Sequence, residues 1–479
     1  MDNTVHWLAP IGALLTSPDQ DIVLSTGTPT VTLHTPIHDR LISLKNEIDR
    51  VAPVGYWDDA KKITNPYEYI FLSLQRRMLW SVAAIQPLSR SYFKMIELWD
   101  ILALSVTSSA HSAEGPGGFL EAIQDRVDSK IPMIAMTLRS TERTVPGWRK
   151  SQNFLQTYPG VRITYGADNT GNLYSLANQA AFAEQATEHI GKADIYTGDG
   201  GFDFSADFNG QENTVQRLLV AEALAGLNTL RSGGTMLLKL FDTKCRATLE
   251  FLWTLSSCFE KTALIKPQTS RPANSERYWV GIGYRDAPTW IIQLFSTLTA
   301  TDAPAGWDHL YTNPPKYPVT WITQIHAFQS QVELHQYNKI QLTLNLIRTP
   351  SREQILDLLT QNIHNSRVWC HAHRIPFNPR YNGLSDEQVA LQNLEEALIP
   401  FQALVARNCL QELSQPLPMH RAWISHPSPP PPTGLAWRTT LPASVLGRSP
   451  SQTVGGNPPS VLPAPSQSPP LIDHASALP

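Results

Sequence analysis

The chain is poor in cysteine, in unbalanced charge and in long apolar runs. Its 479 residues include four cysteines without a CxxC pair or regular spacing, which excludes a disulfide framework and favours a reducing compartment. The formal charge is −3, from 38 Lys plus Arg and 41 Asp plus Glu, so a nucleic-acid partner would need a local basic patch. No stretch approaches the about 20 apolar residues of a membrane span.

The N-terminal region, residues 1–60, has no clear targeting signal. Its apolar run at 5–15 follows Asp2 rather than a basic segment, and Pro10 interrupts it, so we expect a protein that is neither secreted nor bound to a membrane. Apolar residues recur from Ile37 to Val51 at helical spacing, which predicts one amphipathic helix after an irregular N-terminal segment, the lead. Core packing is the favoured role of this apolar stripe, with partner binding as the alternative.

Residues 61–290 alternate short β-rich runs with helical runs. The strand-like runs are Ile131 to Thr137, Val161 to Tyr165, Ala193 to Thr197, Thr235 to Phe241, Thr262 to Ile265 and Arg277 to Tyr284. The helical runs include Leu173 to Ile190 and Glu212 to Leu230. The alternation predicts an α/β domain with a mostly parallel sheet and helices on both faces, and ligands at the carboxyl ends of the strands.

The C-terminal part divides into two segments of different composition. Residues 291–415 are predicted to form a helical accessory region. Residues 416–479 hold 16 of the 38 prolines and four charged residues, which predicts a disordered Pro-rich tail. A proline-rich ligand for a partner domain is the alternative for this tail.

Two glycine-rich turns carry acidic residues. Glu114 precedes Gly115, Pro116, Gly117, Gly118 and Phe119, and glycines at a strand-to-helix turn let the backbone approach a ligand closely. Asp199 lies in TGDGGF, directly after the run Ala193 to Thr197. A tight turn without a ligand would use similar residues, so neither motif is specific alone.

Lys239 is the most unusual ionisable residue. It lies inside the apolar run TMLLKLF, where a buried strand would not carry an ammonium without a partner or a task. Glu276 opens the strand-like run ERYWVGIGY, which would bring it to the same edge of the sheet. Lys94 lies in the helix-like SRSYFKMIELWDIL; taken singly it reads as a surface lysine, but convergence with the other three residues favours a site.

These blocks resemble the FtsJ-type ribose 2′-O-methyltransferases, and among them the cap-specific mRNA 2′-O-methyltransferases of eukaryotes and large viruses. The similarity covers roughly residues 64–285 and is most specific in KPQTSRPANSERYWV, residues 266–280. The resemblance implies a Rossmann-like fold with a seven-stranded sheet and the donor S-adenosyl-L-methionine. It also implies a catalytic tetrad in which Lys239 is the general base, formed by Lys94, Asp199, Lys239 and Glu276.

The resemblance also implies where the donor binds. The segment from Glu114 to Phe119 would surround its methionine moiety together with Asp199, and Asp168, Asn172 and Leu173 would lie near its nucleoside. The family usually has an acidic residue where this chain has Asn172. An amide can still hydrogen-bond a ribose or an adenine amine, but without charge assistance, so donor affinity could be lower or Asp168 could take part instead.

Capped mRNA is the partner that the resemblance implies. Asn213 and Asn274 would contact the RNA near the cap, and either Lys61 or Lys62 would be the cap-contacting basic residue. A basic and aromatic cluster, as compatible with a solvated loop as with RNA binding, consists of Arg139, Arg143, Trp148, Arg149 and Lys150. The WCHAH stretch at 369–373 has spacings too close for a tetrahedral zinc site, so we expect no metal.

Two other functions stay open at this stage. One is the same chemistry on ribosomal or transfer RNA, and the other is an inactive RNA-binding module of the same fold. The expected location is the nucleus for a cellular protein and a cytoplasmic replication site for a viral one.

Overall fold

The computed structural model describes residues 4–12, 22–26, 29–51, 56–72, 81–142, 145, 147–202 and 209–406. The Pro-rich tail predicted at 416–479, Arg143 and part of the N-terminal lead lie outside the described residues. Cys409 lies outside them too.

Ten strands are described. They are β1 (Thr4–Leu8), β2 (Ile22–Thr26), β3 (Ser109–Ser112), β4 (Met133–Met136), β5 (Val161–Thr164), β6 (Ala193–Gly198), β7 (Leu230–Leu240), β8 (Phe259–Lys266), β9 (Arg277–Tyr284) and β10 (Trp307–Tyr311).

Twelve α-helices accompany these strands among the described residues. They are α1 (His38–Val51), α2 (Tyr56–Thr64), α3 (Ser91–Leu102), α4 (Gly118–Arg126), α5 (Gln152–Thr157), α6 (Leu176–Ile190), α7 (Gln211–Thr229), α8 (Arg246–Ser257), α9 (Thr289–Ala300), α10 (Val319–Arg348), α11 (Arg352–Ala372) and α12 (Asp386–Ala406).

The main sheet has the order β1-β8-β9-β7-β6-β3-β4-β5. The strands from β7 to β5 run parallel, whereas β9 is antiparallel to β7 and β8, and β1 is antiparallel to β8. The predicted α/β class is confirmed, with eight strands instead of seven. The additional strand is β1, which the prediction had placed in an irregular lead. A separate two-stranded sheet pairs β10 with β2.

The sheet separates two apolar layers. One face is covered by a cluster that includes residues of α1, α2, α3, α4, α11 and α12. The other face is covered by residues of α6, α7, α8 and α9, and α10 contributes to both clusters. The strands β3, β4 and β6 are short and almost fully buried, as expected for parallel strands with helices on both faces, whereas the edge strand β5 is only half buried.

The polar strand β3 is the main element that the runs of apolar residues did not predict. Its sequence is SAHS, yet all its residues are buried, and His111 is satisfied inside the sheet by Ser109 and Thr197 at 2.8 Å each. Burial of this strand depends on its position between β4 and β6, which residue type does not reveal.

The region predicted to be helical at 291–415 contains α9 to α12 and the strand β10. Its helices pack on the rest of the described chain, with α10 against α1, α2 and β1, and α11 against α2. Among the described helices, none combines the length and apolar character that a bilayer span requires.

Candidate active site

The order of the strands defines a crevice at one edge of the sheet. After β3 the chain winds outward to β4 and β5, and then returns to place β6 on the other side of β3. Ligands of open α/β sheets bind at such a reversal, beyond the carboxyl ends of the strands. Glu114 follows β3 and Asp199 follows β6, so both acidic residues lie at this crevice.

Lys239 reaches the same edge because it lies next to the carboxyl end of β7. Its Nζ donates a hydrogen bond to the Asp199 backbone oxygen at 2.7 Å and lies 3.3 Å from Asp199 Oδ1. Tyr278, its cross-strand neighbour on β9, donates from its hydroxyl to the same carboxylate oxygen at 3.0 Å. Asp199 is therefore held by two side chains that project from one face of the sheet.

Lys94 and Glu276 form a second pair on that face. Since β9 is antiparallel to β7, the residue before β9 lies at the carboxyl edge of β7, and Glu276 shares a face with Tyr278 two residues later. The helix α3 covers this face and directs Lys94 towards it, with Nζ 2.7 Å from Glu276 Oε1. Both side chains are nearly buried, at 15% and 11% exposure.

The carboxylates dominate the electrostatics of Lys239. Burial by itself would lower the pKa of its ammonium, but Asp199, Glu276 and Glu222 together raise the pKa above its usual value. Burial would likewise raise the pKa of Glu276, yet Lys94 and Lys239 hold it at about 2. At neutral pH the protein therefore holds Lys239 as an ammonium and Glu276 as a carboxylate.

Glu222 is a site residue that sequence reasoning missed. It lies on α7 and is 1% exposed, its Oε1 accepts the Gly200 N–H at 2.9 Å, and its charge acts on Lys239. Burial raises its pKa to about 8 despite Lys239. The sequence did carry a signal for this residue, because Glu222 is a charged residue inside the apolar run LLVAEALAGL, just as Lys239 is inside TMLLKLF.

Glu114, at the carboxyl end of β3, has one buried carboxylate oxygen without a hydrogen-bond partner among the described residues. Its Oε1 accepts the Thr197 hydroxyl at 2.7 Å, whereas Oε2 is buried and has no hydrogen-bond partner among the described residues. Burial and the Asp199 charge raise the pKa of Glu114 well above its usual value. A buried oxygen without a donor is costly, and a bound cationic group would supply that donor.

The glycine turn after Glu114 is shaped by internal packing. Gly117 has φ +103°, and a Cβ there would lie 3.0 Å from the Trp148 ring. A Cβ at Gly115 would lie 2.8 Å from Gly147 Cα, and one at Gly118 would lie 2.9 Å from the Tyr92 backbone nitrogen. Pro116 accepts the Ser151 hydroxyl with its backbone oxygen at 2.5 Å, and Phe119 is fully buried in α4. The segment 147–151 thus covers the turn.

The loop after β5 carries the other predicted donor-binding residues. Asp168 is exposed, and its Oδ1 accepts from the Thr170 hydroxyl and backbone N–H, which lowers its pKa. Asn172 accepts the Tyr174 N–H at 3.0 Å, and Leu173 is 6% exposed. Asn172 therefore uses its Oδ1 inside the loop.

The predicted RNA-contacting residues lie on α2, at the start of α7 and in the loop between β8 and β9. Lys61 and Lys62 lie on α2 and pair with Asp58 and Asp59 respectively, each three residues earlier. Asn274 lies in the loop between β8 and β9, beside Glu276.

Asn213 and the basic cluster have internal contacts. Asn213, in the first turn of α7, accepts the Cys245 thiol at 3.3 Å. In the cluster, Arg139 stacks over Tyr165, and Arg149 donates to backbone oxygens that include those of Ser140 and Val145.

The WCHAH segment makes ordinary contacts. Cys370 is buried in the core, His373 pairs with Asp100 at 2.6 Å and His364 pairs with Asp386 at 2.9 Å. Within the described part of the chain, no group of three or more His, Cys, Asp or Glu side chains could hold a metal ion.

The helix α11 supports the site through Glu97. This fully buried carboxylate lies one turn after Lys94 and accepts the N–H groups of Gln268 and Thr269 at 2.6 and 2.8 Å. Trp369 of α11 donates its indole N–H to the same carboxylate at 2.8 Å. The region 291–415 therefore contacts the loop that carries Asn274 and Glu276.

Replacing Trp369 by phenylalanine is expected to lower the free energy of unfolding by about 1 kcal/mol more than Trp321→Phe. Both indoles are buried, but Trp321 Nε1 has no hydrogen-bond partner among the described residues, so only Trp369→Phe removes a bond. Urea denaturation of both variants measures this difference. Equal losses would show that the Glu97 contact adds no stability.

Comparison with known proteins agrees with this architecture. Residues 87–284 match the model of the family described as FtsJ-like methyltransferase. A Drosophila melanogaster protein named cap-specific mRNA (nucleoside-2′-O-)-methyltransferase 2 is 31% identical over 41% of this chain and 29% of its own length. A Trypanosoma cruzi protein named cap-specific mRNA (nucleoside-2′-O-)-methyltransferase 1 is 28% identical over 46% of this chain and 58% of its own length.

A viral protein is similar to the same extent. A probable methyltransferase of African swine fever virus is 30% identical, covering 44% of this chain and 53% of the viral protein. The chain thus spans less than two thirds of the length of these relatives.

Proposed function

We propose that this protein, whose residues 87–284 match the FtsJ-like methyltransferase family, transfers a methyl group from S-adenosyl-L-methionine to the 2′-hydroxyl of a cap-proximal nucleotide of mRNA. The observation that carries the proposal is the convergence of two buried lysine–carboxylate pairs, Lys94–Glu276 and Lys239–Asp199, at the carboxyl edge of the sheet. The similar proteins named as cap-specific mRNA methyltransferases support the choice of substrate.

The donor supplies a methyl group already activated by its sulfonium charge. The protein has to align the ribose hydroxyl and take its proton, and Lys239 is the residue assigned to the proton. The Asp199 carboxylate orients the Lys239 side chain, and Tyr278 holds that carboxylate in place by donating a hydrogen bond to it. Because its pKa is raised, Lys239 must first give up a proton, so only a small neutral fraction acts as base near pH 7.

Lys94 and Glu276 are assigned to the acceptor ribose. Glu276 is ionised and can accept a hydrogen bond from a sugar hydroxyl, and Lys94 holds its carboxylate in place. Asn274, two residues earlier, is placed to contact the same nucleotide. Asn213 and one of Lys61 and Lys62 are proposed to contact the RNA towards the cap.

The residues at the crevice fit a cationic donor. Glu114 offers a buried oxygen without a partner among the described residues, which suits the amino and sulfonium charges of S-adenosyl-L-methionine. The backbone of Gly115 to Gly118 lies beside it, and Asp168, Asn172 and Leu173 would contact the nucleoside.

Replacing Glu114 by glutamine is expected to weaken binding of S-adenosyl-L-methionine about tenfold, because a charge-assisted contact is lost. Since the pKa of Glu114 is raised, wild-type affinity should increase as pH rises and the carboxyl ionises, and the variant should lose that dependence. Calorimetric titration from pH 6 to 9 measures both effects. Glu188→Gln, an exposed change on α6, is the control. Unchanged affinity and pH dependence in Glu114→Gln would contradict this donor assignment.

The proposed substrate is tested by methyl transfer to matched RNAs. Labelled S-adenosyl-L-methionine is incubated with a capped transcript, its uncapped counterpart, and ribosomal and transfer RNA, and the nucleosides released are mapped by mass. We expect 2′-O-methylation at a cap-proximal nucleotide of the capped transcript alone. Labelling of ribosomal or transfer RNA instead would favour the related chemistry on those substrates. Absence of both donor binding and transfer would favour an inactive RNA-binding module.

A further inference from the structure

A second buried lysine lies beneath the loop that carries Asn274 and Glu276. Lys266 ends β8 and is 7% exposed. Its Nζ donates to the Glu276 backbone oxygen at 2.6 Å, to both the backbone and side-chain oxygens of Asn274 at 3.1 Å, and to Ser270 Oγ at 3.2 Å. An ammonium has three protons and no acceptor, so these four acceptors saturate it.

We infer that Lys266 is a positioning residue that folds the 266–276 loop around its ammonium and thereby sets the orientation of both Asn274 and Glu276. The inference rests on the proposed function, because it assigns Lys266 to the acceptor side of that reaction. Lys266 does not reach the reacting atoms itself, since its contacts are the backbone and the Asn274 and Ser270 side chains of this loop.

The loop is otherwise held by groups outside it. Glu97 binds its first residues, Gln336 of α10 donates to the Ala273 backbone oxygen at 3.1 Å, and Ser275 donates to Gln211 of α7 at 2.7 Å. These contacts fix where the loop lies on the protein. Lys266 joins Asn274 to the backbone of Glu276 by shorter contacts than Ser270, whose hydroxyl lies 3.4 Å from Asn274 Oδ1 and 3.3 Å from the Glu276 backbone oxygen. The ammonium is therefore the main group that sets the spacing between the two residues.

Lys266 also acts on the Glu276 carboxylate through its charge. Its ammonium contributes to the low pKa of Glu276, after Lys94 and Lys239. Burial lowers the pKa of Lys266 itself to about 7, although Glu276 opposes this change. Loss of this charge should therefore raise the pKa of Glu276.

Replacing Lys266 by methionine is expected to lower kcat/KM for capped RNA by about 100-fold, the loss that follows a misplacement of about 1 Å at a reacting centre. Both a fall in kcat, through Glu276, and a rise in KM for RNA, through Asn274, should contribute. Donor affinity should stay within a few-fold, because the donor residues lie on other loops. Lys261→Met, an exposed change at the start of the same strand, is the matched control.

A double-mutant cycle separates positioning from general damage. The rise in KM caused by Lys266→Met should be absent when Asn274 is already alanine, because Lys266 acts on RNA binding through that residue. The inference is overturned if Lys266→Met behaves like Lys261→Met, or if its effect on KM persists unchanged beside Asn274→Ala. An inactive wild-type protein would instead contradict the proposed function. If Lys266→Met loses donor binding, Ser270→Ala replaces it in the same cycle, because it removes one Lys266 contact and the weaker direct contacts of Ser270 with Asn274 and Glu276.

Discussion

Replacing Lys239 by methionine is expected to lower the rate of methyl transfer by about 10²–10⁴-fold, the contribution of a positioned general base. Methionine keeps the length of the side chain and removes its proton-accepting nitrogen, so the buried environment on β7 is largely preserved. Single-turnover transfer of labelled methyl to capped RNA measures the loss. Donor affinity, followed by calorimetry, should not fall, because the change removes a positive charge beside a site proposed for a cation.

The dependence of the methyl-transfer rate on pH tests whether the Lys239 nitrogen is the base. Asp199, Glu276 and Glu222 keep the pKa of Lys239 above its usual value, so the neutral fraction grows about tenfold per pH unit throughout the neutral range. The wild-type rate should therefore rise with pH from 6 to 9 without a plateau, and the rate of Lys239→Met should not. Lys261→Met, exposed on β8, should follow the wild type. A variant that keeps more than a tenth of wild-type activity would exclude Lys239 as the base.

Replacing Asp242 by asparagine is expected to lower the free energy of unfolding by about 3–5 kcal/mol. Asp242 follows β7 and is 4% exposed. Its carboxylate accepts from Arg277 at 3.0 Å, lies 3.4 Å from Lys244 Nζ and lies 4.0 Å from Lys45 Nζ. The amide removes the charge that three buried cations share, and an uncompensated buried cation is costly.

The control is the exposed pair Arg217–Asp302, in which the aspartate is 83% exposed. Asp302→Asn should change the free energy of unfolding by less than about 1 kcal/mol. Guanidinium denaturation of both variants tests the contrast. A loss near that of the control would show that Lys244 and Arg277 are compensated by Glu333 alone.

The same network sets a dependence of stability on pH. Burial would raise the pKa of Asp242, but Lys244, Lys45 and Arg277 hold it well below its usual range. The unfolded chain therefore binds the proton more readily than the folded protein. The contribution of Asp242 is fully present above the unfolded pKa of about 3.9 and is lost as pH falls below it towards the folded pKa.

The α/β class could be predicted from residue order, and the four proposed catalytic residues from their place in that order together with the family resemblance. Alternating β-rich and helical runs reflect burial on both faces of a parallel sheet, which leaves a local signature. Lys239 was conspicuous because an ammonium inside TMLLKLF conflicts with its surroundings. Glu222 offered the same conflict and was overlooked.

Spatial pairing could not be predicted in this way. Which lysine binds which carboxylate depends on β9 running antiparallel to β7 and on α3 covering that face, and both arise from contacts between distant segments. The strand SAHS is buried through its neighbours, and β1 joins the sheet edge far from its place in the chain. The four acceptors of Lys266 come together only when the loop has folded around it. Local composition thus determined the helices and strands and the types of reactive residue, whereas long-range packing determined which residues pair. Neither the order of the strands in the sheet nor the electrostatic environment of a side chain is encoded within a short window of residues.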